Sequence, residues 1–285
     1  MMSNGQRKLG LHQITAMDAT PVELIQLAAE TGYQEVCLFT HLPTLSADDA
    51  TKDDGVFPRV DRDNLQAVQR QLADTGIRVA NVEFFSITPH MILSDYEYGL
   101  ELGAQLQART AVTHIFDEDE QRAVTQLGRL VEMAAEYHLN VAIEVMGLSP
   151  VCSSLAQAMR FINSVNHPNL GIAIDALHMV RTGTPPSALR HIPPSLFTYA
   201  QICDGATSEI TGDYMEEALH HRLLPGSGVF PLKAIFNALP RDLPIDVEVP
   251  SQSRIDAGIS KENHALSALR AAQSILETRT ITRDG

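Results

Sequence analysis

The chain has 285 residues, 44% apolar and 20% charged, with 35 acidic against 21 basic side chains and a formal net charge of -14. That composition supports a sizeable core and excludes a disordered chain. The acidic balance speaks against a nucleic-acid partner, which needs a basic face, and suits a metal or a small polar substrate. No run of about 18 apolar residues is present, and MMSNGQRKLG has no long apolar stretch behind its basic residues, so neither a membrane nor a signal peptide is expected. Cys37, Cys152 and Cys203 are widely separated and form no C-x-x-C pair, which argues for a reduced, cytoplasmic setting without disulfides or structural zinc.

No Pro/Gly/Ser linker, low-complexity tract or repeat marks a boundary, so residues 1–285 read as one domain. LGLHQ at 9–13 predicts the first strand. Thr20 as N-cap, Pro21 at the first helical position, Glu23 completing a capping box and Gly32 as stop predict the first helix. EVCLF at 35–39 is the second strand, and a long polar loop, 40–61, follows. Apolar periodicity predicts further helices near 62–75, 95–107, 119–137, 153–165, 230–238 and 261–277. Between them RVANVEF at 78–84, TAVTHI at 110–115, NVAIE, NLGIAID, FTYAQ and PIDVE read as strands. Eight strands alternating with helices, each too apolar for a wet face, predict an α/β fold, a single (β/α)8 TIM barrel; a doubly wound open sheet is the alternative.

The last four strands end in Glu144, Asp175, Gln201 and Glu248. Parallel strands deliver their last side chains to one rim. Three carboxylates and a carboxamide converging there repel one another unless a cation sits between them, and a hard divalent ion with oxygen ligands answers that need. A lone carboxylate at a strand end is commonly a helix cap; four in succession predict a metal site. Because catalysis in such barrels sits at the C-terminal ends of the strands, the active site is expected there.

IEVM-G with Glu144, D-A-L-H with Asp175 and His178, Q-I-C-D with Gln201 and Asp204, R-L-L-P-G-S-G with Arg222 and the final V-E-V with Glu248 together resemble the xylose isomerase-like TIM-barrel superfamily. The resemblance covers nearly the whole chain and points to the sugar phosphate isomerase/epimerase branch, which also holds inosose dehydratases, tagatose epimerases and 3-dehydroshikimate dehydratases. It implies one Mn, Mg, Co or Zn ion held by Glu144, Asp175, Gln201 and Glu248. It also implies Glu144 and Glu248 as the acid/base pair, with His178 and Arg222 on substrate oxygens. Many members carry histidine where this chain has Gln201. A neutral oxygen donor favours a harder ion than zinc, and Gln there looks like the dehydroshikimate dehydratases. Ser227 stands where relatives often have an acidic residue.

The expected reaction is isomerisation or epimerisation of a sugar, sugar phosphate or cyclitol through a metal-stabilised enediolate. Dehydration of a 3-dehydroshikimate- or inosose-type substrate is the runner-up, and a metal-free binding or regulatory barrel is the alternative of another class. A superfamily DNA-repair endonuclease is disfavoured by the charge. The partner is a small polyol or keto-sugar; barrels of this kind commonly pair, which puts a homodimer among the expectations. His12, Glu83 and His114 also close strands. They read as pocket floor and walls, Glu83 and His114 as substrate-binding candidates, or as buried groups satisfied by hydrogen bonds. His41 and His90 are weaker candidates; Asp204 reads as loop-fixing, Cys203 as no nucleophile, and the P-G-S-G amides as an anion cradle or a plain turn. Substrate cover is expected from 40–61 and 204–229, and specificity from these loops together with 86–95.

Overall fold

The structure is a computed structural model that describes residues 7–42 and 57–277. Eight parallel strands close into a barrel in chain order: β1 (Leu9–Leu11), β2 (Glu35–Phe39), β3 (Arg78–Glu83), β4 (Thr110–Thr113), β5 (Asn140–Glu144), β6 (Leu170–Asp175), β7 (Phe197–Ile202) and β8 (Ile245–Val247). The doubly wound alternative falls because β1 pairs with β8, Gly10 opposite Asp246. Around the sheet run α1 (Pro21–Thr31), α2 (Leu65–Thr75), α3 (Ser94–Gln105), α4 (Glu120–Glu136), α5 (Leu155–Val165), α6 (Ala176–Arg181), α7 (Tyr214–His220), α8 (Leu232–Ala238), α9 (Gln252–Asp256) and α10 (Lys261–Leu276). The capping box of α1 forms as its sequence demands, with Thr20 Oγ1 accepting from the Glu23 amide and Glu23 returning to the Thr20 amide. Among the described residues no helix is long and apolar enough to cross a membrane.

Side chains alternate along a strand, and that period sorts this barrel. Ile143, Ile174, Ile202 and Val247 face outward into the main apolar core. Val112, Ala142, Ala173 and Tyr199 form a separate small cluster inside the barrel. Each of these four stands two residues before His114, Glu144, Asp175 or Gln201, so the four polar side chains emerge on the same inner face, one layer nearer the C-terminal rim. The inner layer continues through Asp246, which accepts from Asn81 Nδ2 at 2.9 Å. Gly10 makes room for it, since a Cβ there would lie 2.2 Å from Asp246 Oδ1.

The main departures from the sequence pattern lie at ends and in short helices. β1 stops at Leu11 because His12 leaves the sheet to cap a 3-10 turn over Gln13–Ala16, accepting from the Ile14 amide. In that turn Thr15 Oγ1 donates to the Val247 carbonyl at 2.8 Å and accepts from the Val249 amide at 2.9 Å. α6, α7 and α9, with six, seven and five residues, are short helices that the apolar pattern does not predict. Most of the expected cover at 40–61, residues 43–56, lies outside the described residues.

Candidate active site

Glu144, Asp175 and Gln201 are brought together at the ends of β5, β6 and β7, and Glu248 follows the last residue of β8. All four are buried. His114, just past β4, donates from Nε2 to Glu144 Oε2 at 3.1 Å, and Gln201 Nε2 approaches the same oxygen at 3.5 Å. His178 Nε2 faces Glu144 Oε1 at 3.5 Å. Asp175 has a second function as the N-cap of α6, its Oδ1 accepting from the His178 amide at 3.0 Å. The D-A-L-H spacing thus places His178 one turn above its own capping carboxylate.

Arg222 lines the cavity and also pairs with the protein's own carboxylates. Its Nη1 donates to Asp175 Oδ2 at 2.6 Å, its Nη2 stands 2.9 Å from Glu248 Oε1, and its Nε donates to the Ala218 carbonyl at 2.8 Å. A buried guanidinium is therefore the counter-ion of two ligand candidates, which satisfies the requirement that buried charges be paired. On the opposite wall His12 Nε2 lies 3.2 Å from Glu83 Oε1, to which Cys37 Sγ also points at 3.5 Å. Glu83 and His114 therefore spend hydrogen bonds on protein partners while still lining the cavity.

The electrostatics divide the two glutamates. Burial opposes the charge of Glu144, but the hydrogen bond and charge of His114, with His178 beside it, hold its carboxyl below the usual range. Burial likewise opposes the charge of Asp175, and Arg222 and His178 overcome it. Glu248 goes the other way: burial pushes it up to about 8 despite Arg222 and His12. Carboxyls with divergent proton affinities in one cleft are the usual mark of an acid/base pair. Burial lowers His178 and pushes the Cys203 thiol up, which removes Cys203 as a nucleophile.

The donor set suits a cation. Among the described residues two buried oxygens of this group, Gln201 Oε1 and Glu248 Oε2, have no hydrogen-bond partner. Beside the ionised Glu144 and Asp175 they supply oxygen donors of the kind that a hard divalent ion takes. Glu144, Asp175 and His178 also bring ligand atoms within 4.8 Å of one another, as do His12, Cys37 and Glu83.

Above this polar floor lies a cavity of about 90 Å³ whose walls are Ile14, Phe57, Phe84, Phe116, Met146, Leu148, Met215 and Leu219. A larger cavity of about 690 Å³, between the turn after β1 and the start of α10, shares only Ile14 and Leu219 with it and none of the carboxylates above. Asp204 fixes the loop beyond β7: its carboxylate accepts from the amides of Gly205, Gly226, Gly228 and Phe230 at 2.9–3.0 Å. The anion in the P-G-S-G cradle is thus the chain's own Asp204. Gly228 is required there, since a Cβ would meet the Gly205 carbonyl at 2.2 Å. His90 is exposed, and half-buried His41 packs on Phe85 and Tyr96 and is not among the residues that line the cavity.

Sequence reasoning missed Tyr214, whose hydroxyl bonds His178 Nδ1 at 2.6 Å. The only local signal was Asp213, the N-cap that starts α7.

A family model described as xylose isomerase-like TIM barrel matches residues 25–273. A 3-dehydroshikimate dehydratase of Pseudomonas putida is 29% identical over 110 residues, 39% of this chain and 17% of that protein. An inosose isomerase of Bacillus subtilis is 26% identical over 125 residues, 43% of each. The chain therefore spans less than half the length of either curated relative it matches. The solved structure of an IolI protein with a bound zinc atom superposes with a TM-score of 0.76 at 17% identity, covering 94% of this chain and 98% of that one, and so shares the fold. With eight parallel strands closed in chain order and the family model matched from α1 to α10, this chain belongs to the xylose isomerase-like TIM-barrel family.

Proposed function

We propose that the protein is a divalent-metal-dependent enzyme that removes a proton from the carbon beside the carbonyl of a small carbocyclic hydroxy-ketone. The observation that carries this reading is the pair of partnerless buried oxygens, Gln201 Oε1 and Glu248 Oε2, beside the ionised Glu144 and Asp175. Glu144, Asp175, Gln201 and Glu248 would hold the metal. Bound there, it would act as a Lewis acid that polarises the substrate carbonyl and makes the neighbouring C–H more acidic. Glu144, held ionised by His114, takes the proton, and Glu248 serves the opposite side of the reacting carbon. His178 donates from Nε2 to a substrate oxygen, and Arg222 keeps Asp175 and Glu248 in place. The apolar ring of Phe84, Phe116, Met146 and Leu148 excludes water and stacks on the substrate carbon skeleton.

Return of the proton to the same carbon from the other face, or to its neighbour, makes the protein an epimerase or isomerase. Expulsion of a hydroxyl at the next carbon makes it a dehydratase. Three observations favour dehydration as the second reading. The walls offer few hydroxyl partners, which suits a ring with unsubstituted carbons better than an open-chain sugar, and Gln201 and the 29% identical relative point the same way.

The test is mass spectrometry of inosose, 3-dehydroshikimate and a panel of ketoses and their phosphates, in deuterated solvent with Mn or Mg. Deuterium uptake without loss of water supports the isomerase or epimerase, and loss of 18 mass units supports the dehydratase. Absence of exchange on every substrate, together with no bound metal and no thermal shift on adding Mn or Mg, would replace both with a metal-free binding barrel.

A further inference from the structure

Tyr214 opens α7, which Asp213 starts by accepting from the amides of Met215 and Glu216. Its phenol bridges to the end of β6: Oη lies 2.6 Å from His178 Nδ1. Past β5, the Gly147 backbone packs closely against the same phenol. Only glycine fits, because a Cβ at 147 would lie 2.7 Å from Oη. The short helix is anchored at two further points. Glu217 forks onto Arg181, with Nε to Oε2 at 2.7 Å and a second bond from Nη2 to Oε1, and the Ala218 carbonyl accepts from Arg222 Nε at 2.8 Å.

These contacts fix the direction of the hydrogen bonds. Nε2 of His178 faces the acceptor-only carboxylate of Glu144 at 3.5 Å and carries the ring proton, which in the neutral imidazole leaves Nδ1 as the acceptor and the Tyr214 hydroxyl as the donor. We infer that Tyr214 is a positioning residue for His178, holding the ring as the Nε2–H tautomer so that it presents a proton donor beside Glu144. With Nδ1 engaged and Nε2 protonated, His178 is not a metal ligand, although it lies within 4.8 Å of Glu144 and Asp175. Because Met215, Ala218 and Leu219 of the same helix line the cavity, α7 couples the walls that meet substrate to the tautomer of His178. Outer partners that orient metal-ligating histidines are worth roughly 10–100-fold in activity when removed, and the same scale is expected for a histidine oriented onto substrate.

The test is long-range ¹H–¹⁵N correlation spectroscopy on the full chain labelled at histidine, with the His178 signals identified by their loss in His178→Gln. The expected wild-type spectrum has Nε2 protonated and Nδ1 displaced from the free-imidazole position by the bond it accepts. Tyr214→Phe should return Nδ1 to the unbonded position, and Gly147→Ala should do the same by pushing the phenol away without touching the ring. A wild-type proton on Nδ1, or spectra unchanged in both variants, overturns the inference. A second arm rests on the function proposed above: kcat in Tyr214→Phe should fall by about 10–100-fold with KM little changed. The spectra need no substrate. A shifted Nδ1 with no turnover in any protein therefore upholds the positioning role and removes only that function, whereas a shifted Nδ1 with unchanged kcat overturns the catalytic value of the tautomer.

Discussion

Arg222 stands 2.9 Å from one oxygen of Glu248 and leaves the other oxygen of that carboxylate without a partner among the described residues. Its Nη1 does the same service for Asp175. Without metal, the guanidinium balances the ionised Asp175 and pairs with Glu248, whose carboxyl is pushed up to about 8. Replacing it by methionine keeps the volume, strands the buried Asp175 charge and takes a partner from Glu248, so Arg222→Met should cost about 3–5 kcal/mol of stability in the metal-free protein. Denaturant unfolding measures this; a loss under about 1 kcal/mol would mean the pair is bridged by other groups.

Glu248 carries a proton up to about pH 8 in the metal-free protein. A cation taking Glu248 Oε2 must displace that proton, so Mn or Mg affinity should rise as pH increases towards 8 and level off above it. Titration calorimetry in buffers of different ionisation enthalpy should show proton release at pH 7. Stability follows the opposite course: the folded carboxyl holds its proton above the ordinary value of 4.5, so the folded state binds more protons between 4.5 and about 8. Metal-free stability from this group is therefore full below that window and declines as pH rises through it. A pH-independent metal affinity would remove Glu248 from the donor set.

Glu144→Gln and Glu248→Gln should each reduce solvent-deuterium exchange into substrate by at least about 100-fold, the lower bound for a positioned acid or base. Retained exchange in either variant removes that residue from the acid/base pair.

Gln201→His exchanges a neutral oxygen donor for imidazole. The variant should gain zinc affinity relative to magnesium, read by competition with a chelating indicator. An unchanged Zn/Mg ratio would place Gln201 outside the metal's reach.

Asp204→Ala removes the acceptor of four backbone amides and should cost on the order of 3 kcal/mol or more. Hydrogen exchange should accelerate at Gly226, Gly228 and Phe230 before the barrel strands respond. Protection that persists at those amides would show that the loop is held by other contacts.

The strand-end ligand candidates were legible because a buried parallel strand tolerates few polar residues, and a carboxylate after an unbroken apolar run has only the rim to occupy. His114 and Glu83 were legible for the same reason. Arg222 was legible as a rim residue but not as the counter-ion of Asp175, because pairing depends on where the loop returns 47 positions later. Tyr214 and His178 lie 36 positions apart, and α7 spans seven residues, so neither periodicity nor spacing joins them. Asp204 was legible as a loop anchor, whereas the occupant of the glycine cradle was not: a turn that offers amides has the same sequence whether its anion comes from solvent or from the chain.

The stitch made by Thr15 across Val247 and Val249 brackets Glu248 from both sides. The last candidate ligand in the chain is therefore seated by the first turn, across a separation of 232 residues. All four corners of the site are supplied by consecutive strands, and the Glu248 amide bonds the Ile202 carbonyl of β7 at 3.1 Å, but only the fourth corner is also pinned where the two edges of the sheet meet. The seam where the barrel begins and ends is therefore closed by a threonine hydroxyl directly beside a candidate ligand, so loosening the first turn should disturb the seat of Glu248 before that of Glu144.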